Sequence, residues 1–169
     1  GDITASAAAV GGGADSGYGG AVGGGSIEFN VNGGVQTWAS LSVDAGLTLG
    51  GTESGGAFGT QQQVANLFLH ASDGGRLTID GLTTLSANGL SADKAGSGGT
   101  ITGGTIDVTI DGANSLLNFA GGLNADASTL VTRTGAAASA DQSFTATGGD
   151  INLSATGDGT LRIANLNAQ

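Results

Sequence analysis

The sequence predicts an all-β fold of stacked parallel coils, a β-helix, from three observations. Apolar and polar residues alternate strictly in short runs. Nearly one phrase recurs: GGSIEFNVNG (24–33), GGRLTIDG (74–81), GGTIDVTIDG (103–112) and GGDINLSATG (148–157). Glycine, 35 of 169 residues, punctuates the runs. Period-two alternation means strands, because successive side chains of a strand point to opposite faces. A recurring unit that cannot bury its own apolar row needs an equivalent row above and below it.

Taken in order, the chain opens with a glycine-rich stretch at 7–25. Core coils are then expected near 24–44, 74–93, 103–126 and 148–169, with insertions near 46–73, 94–102 and 127–147. Three short strands with Gly, Asn-Gly or Asp-Gly corners fill the 20 to 24 residues of each coil. Ile27, Phe29 and Val31 open the first core row and Leu41 closes it. Leu77 and Ile79 lead to Leu90, and Ile106, Val108 and Ile110 lead to Leu123. Ile151 and Leu153 lead to Leu166. LTIDGLTTLSANGLSAD (77–93) aligns with VTIDGANSLLNFAGGLNAD (108–126), which makes these four leucines equivalent. GDITAS (1–6) echoes GGDINLSA (148–155), so a further copy is expected to begin before residue 1. Two insertions carry strand-like pieces, VANLFLHA (64–71) and TLVTRT (129–134), and the first is expected to add a coil. With no methionine, the chain reads as an excerpt of a longer repetitive protein, a single segment over 1–169.

A helical repeat would place apolar residues at i, i+3 and i+4 and would not tolerate glycine at roughly one residue in five. A β-sandwich is the alternative, since short strands with glycine-rich turns also describe it.

Four Lys and Arg against fourteen Asp and Glu set a charge of −10, which argues against nucleic acid and anionic membrane surfaces as partners. No apolar run approaches the length that spans a bilayer, so no membrane insertion is expected in this segment. Without cysteine there are no disulfides, thiolate metal sites or Cys nucleophiles.

No catalytic residue and no cofactor is expected. GGGADSGYGG (11–20) lacks the nine-residue recurrence of calcium-binding glycine repeats and reads as a loop. Asp73-Gly74, Asp80-Gly81, Asp111-Gly112 and Asp158-Gly159 read as turns. Stacking of Asp80 on Asp111 would make these two the candidate ligands for incidental calcium. A polysaccharide-cleaving β-helix enzyme needs a basic residue in a cleft, and only Arg76, Lys94, Arg133 and Arg162 are available. A glycosidase needs clustered carboxylates, whereas these acids are spread one per turn. His70 in LFLHASD reads as an outward surface residue. Trp38 is a candidate contact residue, although covering the core under a loop is the favoured reading, and Tyr18 is a second candidate contact. Asn152 heads a formal glycosylation sequon but reads as an outward polar residue. Thr100, Thr102, Thr105 and Thr109 are too few and too mixed with Asp for an ice-binding face.

The glycine tracts, the GGTI-type strand starts and the Leu-x-Ala-Asp endings resemble the β-strand repeats of very large bacterial exoproteins. These are the filamentous-haemagglutinin-like adhesins and the autotransporter passenger stalks. The resemblance implies a right-handed β-helix, secretion to the extracellular space or cell surface, and a structural role in adhesion, aggregation or biofilm. Its implied partners are adjacent repeats, other copies, or a host or cell-surface glycan or protein. The unpaired coil ends carry a second reading, a self-assembling extracellular filament.

Overall fold

The computed structural model of the chain describes residues 1–12, 17–18, 26–50, 56–57, 62–63, 66–94, 99–134 and 144–169. These are all-β, without a helix, and the strands fall into successive passes. A partial pass holds β1 (Asp2–Ser6), β2 (Ala9–Gly12) and β3 (Gly17–Tyr18). The first full pass holds β4 (Ile27–Asn32), β5 (Val35–Trp38), β6 (Ser40–Asp44), β7 (Leu47–Gly50), β8 (Gly56–Ala57) and β9 (Gln62–Gln63). The second holds β10 (Leu67–Ser72), β11 (Arg76–Ile79), β12 (Thr83–Ser86), β13 (Gly89–Lys94) and β14 (Gly99–Thr102). The third holds β15 (Thr105–Asp111), β16 (Leu116–Phe119), β17 (Leu123–Asp126), β18 (Thr129–Thr134) and β19 (Phe144–Thr147). The last holds β20 (Asp150–Thr156), β21 (Thr160–Ile163) and β22 (Leu166–Ala168).

Each sheet takes one strand from each of several passes, and every pairing is parallel. The sheets run β4–β10–β15–β20, β5–β11–β16–β21, β1–β6–β12–β17–β22, β2–β7–β13–β18 and β9–β14–β19, with a small β3–β8 pair. Ile27, Leu67, Ile106 and Ile151 are register partners, so one pass takes 40, then 39, then 45 residues.

The pass is therefore about twice the expected 20 to 24 residues. Segments 46–73, 94–102 and 127–147, expected as insertions, supply β7, β10, β14, β18 and β19 in register with their neighbours. Within 64–71, the strand β10 adds no extra coil; it opens the second full pass between β4 and β15. The phrase alignment is also displaced by one strand. Leu77 pairs with Leu117, and Val108 with Leu69. Leu41, Leu123 and Leu166 share one sheet, but its second-pass position is Thr83, while Leu90 pairs with Leu130 in the next sheet. GDITAS does not join the β20 sheet: β1 lies on β6. The physical reason is that apolar-Thr-Ile-Asp-Gly suits any strand that runs inward-outward-inward and ends at a corner. Such a phrase reports strand geometry and carries no sheet identity.

The inward rows make one core. Val31, Leu41, Leu77, Ile79, Ile106, Val108, Ile110 and Leu123 are buried as expected. Full burial of such side chains contributes roughly 1.5–3 kcal/mol each. Ile27, Phe29, Ile151 and Leu153 pack against this core half-buried, because their strands are outermost in their sheet. Leu166 departs from expectation: on the outermost strand β22 it is 51% exposed. The surroundings of the Leu90 side chain lie outside the described residues. Leu67 and Leu69, from a segment the phrase alignment passed over, join the core, as do Leu85, Leu117 and Phe119 from inside the aligned phrases.

Corners set the spacing of the passes. Gly34, Gly75, Ser115 and Gly159 stand at equivalent points, linked by backbone bonds from Arg76 to Gly34, Leu116 to Gly75 and Thr160 to Ser115. A β-carbon at Gly75 would overlap the Val31 carbonyl, so only glycine fits there. Buried Ser115 ties two corners together: its hydroxyl donates to the Asp111 carbonyl (2.7 Å) and accepts from the Gly74 N–H (3.1 Å). Asp73 and Gly74 both take positive φ, 53° and 74°, as a turn does.

Thr83 is the exception among buried polar groups. It is fully buried between Leu41 and Leu123, and its hydroxyl has no hydrogen-bond partner. Replacing it with the near-isosteric Thr83→Val removes an unpaired buried donor without opening a cavity. The expected result is a gain of about 1–2 kcal/mol in unfolding free energy, read as a higher urea midpoint at unchanged slope.

Candidate contact surface

The outer face of the β4–β10–β15–β20 sheet gathers the most varied chemistry among the described residues. Strict alternation turns Ile27, Phe29 and Val31 inward on β4, and Leu67, Leu69 and Ala71 inward on β10. The intervening residues form outward ranks, one member per strand. Glu28, Phe68, Asp107 and Asn152 make the first, and Asn30, His70, Thr109 and Ser154 the second. Asn32, Ser72, Asp111 and Thr156 make the third. Neighbours in a rank stand about 4.8 Å apart, the strand spacing.

Hydrogen bonds order these ranks. Asn30 Nδ2 donates to Glu28 Oε1 (2.8 Å), and Thr109 Oγ1 donates to Asp107 Oδ1. Ser72 Oγ donates to Asn32 Oδ1 (2.8 Å), and Thr156 Oγ1 to Asp111 Oδ1 (2.8 Å). Between the first two ranks lies an open depression of about 320 Å³ lined by Glu28, Asn30, Phe68, Leu69, His70, Asp107 and Thr109. Phe68 is the anomaly, a half-buried aromatic ring on the polar side of its strand with a carboxylate on each flank.

The expected site residues are dispersed. His70 does face outward, in this depression. Asp111 ends β15 and Asp80 follows β11, with its N–H on the Trp38 carbonyl (3.0 Å). These corners lie at opposite ends of the four-residue strands β11 and β16, roughly 13 Å apart along the strand direction, so stacking does not join the two carboxylates. No group of three or more His, Cys, Asp or Glu able to hold a metal occurs among the described residues. Trp38 packs half-buried against the core: it shares an inward row with Ile79, Phe119 and Ile163, and meets Phe29 edge-to-face at 5.9 Å. The Tyr18 side chain and most of 11–20 lie outside the described residues. Thr100 and Thr102 sit on β14 while Thr105 and Thr109 sit on β15, in different sheets. Asn152 is exposed, on the same rank as Asp107. Arg76 is exposed and donates from Nη1 to the Asn114 carbonyl (3.0 Å). Sequence reasoning missed Phe68, although parity in LFLHAS placed Phe, His and Ser together opposite Leu, Leu and Ala.

A second polar group stands at the corner between β17 and β18. Asp126 Oδ1 accepts from the Ser128 N–H (2.9 Å) and hydroxyl (2.6 Å), and Oδ2 accepts from Asn88 Nδ2 (3.0 Å). Asp44 makes the corresponding turn by accepting from the Gly46 N–H (2.9 Å). Partial burial raises the Asp126 pKa, but the bonds from Ser128 and Asn88 outweigh it and hold the carboxyl below its ordinary value. With its oxygens occupied, this carboxylate acts as a corner brace. A lowered folded pKa contributes stability that is full above the ordinary aspartate range and is lost as pH falls through the lowered value. Asp126→Asn is therefore expected to lower stability at neutral pH and to flatten the acid limb of a stability–pH profile measured by urea unfolding.

No family model, no curated protein and no solved structure matches this chain.

Proposed function

We propose that this chain is a rod segment of a secreted or surface-anchored bacterial exoprotein, a right-handed parallel β-solenoid with a structural and adhesive role. The observation that carries the reading is the continuous register. In the four larger sheets, four or five strands stack in parallel around one shared core, so each pass repeats the outline of the last and presents its outward residues as ranks. Such a stack extends by adding passes, with stability summed over neighbours. The acidic surface keeps it soluble, and the ranks offer a patterned contact face. No catalytic step is proposed, since the described carboxylates sit apart or are taken up in braces.

The test is surface display on a non-adherent bacterium. The expected outcome is new adhesion to epithelial monolayers or new aggregation of the displaying cells. Display at equal density with neither effect would overturn the adhesive role.

Self-assembly is the second reading, and the open edges favour it. β4 and β5 are outermost at one end, β20 and β21 at the other, and Val35 on β5 is 76% exposed. Topology sets a condition on it. The sheet through β12 holds five strands where its neighbours hold four, because β1 and β22 both belong to it. Were β4 of one copy to pair with β20 of another, β1 of the first and β22 of the second would claim the same place. Flush stacking therefore requires release of one of them, and three-residue β22 is the cheaper to release. In sedimentation velocity at rising concentration, residues 1–169 are expected to remain one species, and residues 1–164 to form longer stacks. Stacking by residues 1–169 would show that the collision imposes no barrier.

A further inference from the structure

We infer that the depression on the β4–β10–β15–β20 face is a binding site for a glycan bearing free amino groups, a glucosamine-type polymer. The inference rests on the adhesive reading and names its ligand.

Three features select that chemistry. First, the ring of Phe68 lies half-buried in the depression, an apolar residue on an otherwise polar face. A flat ring at the surface offers an apolar platform to the C–H face of a sugar. Second, Glu28 and Asp107 flank that ring on the adjacent strands, about 10 Å from one another across two strand steps. Among the described residues no Lys or Arg lines the depression, and the chain carries −10 overall, so the field there favours a cation. Third, the His70 imidazole, the second N–H and the oxygen of the Asn30 amide, and the Thr109 hydroxyl oxygen, whose proton goes to Asp107, lie one rank away and suit sugar hydroxyls. A polymer lying across the strands meets carboxylate, ring and carboxylate in sequence. Ammonium groups then pair with Glu28 and Asp107 while a ring between them rests on Phe68.

A basic peptide shares the charge but fits less well. Extended peptides bind a sheet through its edge hydrogen bonds, whereas this depression lies on the outward face of β4, β10 and β15 and is lined by side chains, not along the open backbone edge of β4.

The test is calorimetric titration of the purified chain with glucosamine oligosaccharides in mildly acidic, low-salt buffer, where the sugar amines are charged. N-acetylglucosamine oligosaccharides of equal length and a lysine-rich peptide serve as comparison ligands. Binding of the glucosamine series is expected. It should weaken about tenfold in Glu28→Gln and in Asp107→Asn, each losing one charge-assisted contact, and should weaken also in Phe68→Ser. Asp73→Asn, which removes one charge at an exposed corner, should leave it unchanged. Equal loss in Asp73→Asn would reduce the effect to net charge and overturn the site. Equal binding of the acetylated series would overturn the role of the amines, and tighter binding of the peptide would replace the glycan with a basic protein. Circular dichroism of each variant checks that the fold is kept, and Glu28→Gln and Asp107→Asn, being isosteric and outward, keep the test valid if Phe68→Ser unfolds. Because the titration uses soluble chain and ligand, it can fail while displayed cells still adhere, or succeed while they do not.

Discussion

Parallel pairing in register, at one fixed strand spacing, is the constraint on which the rest of this structure depends. It places each side chain directly against its equivalents in the passes above and below. An inward position must then be apolar in almost every pass, because a polar group there has only its own row to turn to. Val31, Ala71 and Ile110 form such a row, as do Ile79 and Phe119. Thr83 shows what happens when one member departs from the rule: its backbone bonds stay intact and its hydroxyl goes unpaired. The same constraint converts an alternating sequence into ranks on the outside, where Glu28, Phe68 and Asp107 become neighbours despite about 40 residues of intervening chain at each step.

Corners enforce the spacing from the backbone side. Where passes come closest, as at Gly75 against the Val31 carbonyl, there is no room for a β-carbon. Where the turn is wider, short polar side chains do the work, with Ser115 bridging Asp111 to Gly74 and Asp126 gathering Ser128 and Asn88. Glycine abundance and Asp placement thus follow from one geometric demand, the close stacking of one corner on the next. The ends of the stack relax it: Phe29 and Trp38 pack edge-to-face at one end, and Leu166 is half exposed at the other. Such ends are where further strands, or another molecule, find unpaired backbone.

Strand type, the inward parity of each run, the turn role of the Asp-Gly pairs and the outward direction of His70 were legible in the sequence, because each depends on residues two to four positions apart. A strand's two faces and a corner's backbone are local properties, and alternation and glycine report them directly. Most of the named core rows were readable for the same reason. What could not be read was which strand lies on which. The phrases at 77–93 and 108–126 look equivalent, yet Leu77 pairs in register with Leu117 and Leu90 with Leu130. Register is settled by the summed packing of whole passes, in which a one-strand displacement would set corners against strand centres. Trp38 and Asp80 were ambiguous by the same logic, since contact across passes decided both. The sequence by itself determined an all-β chain with defined inward and outward faces; tertiary structure alone decided the 39–45-residue pass and the assembly of Glu28, Phe68, His70 and Asp107 on one face, because only stacking brings distant strands to the same height.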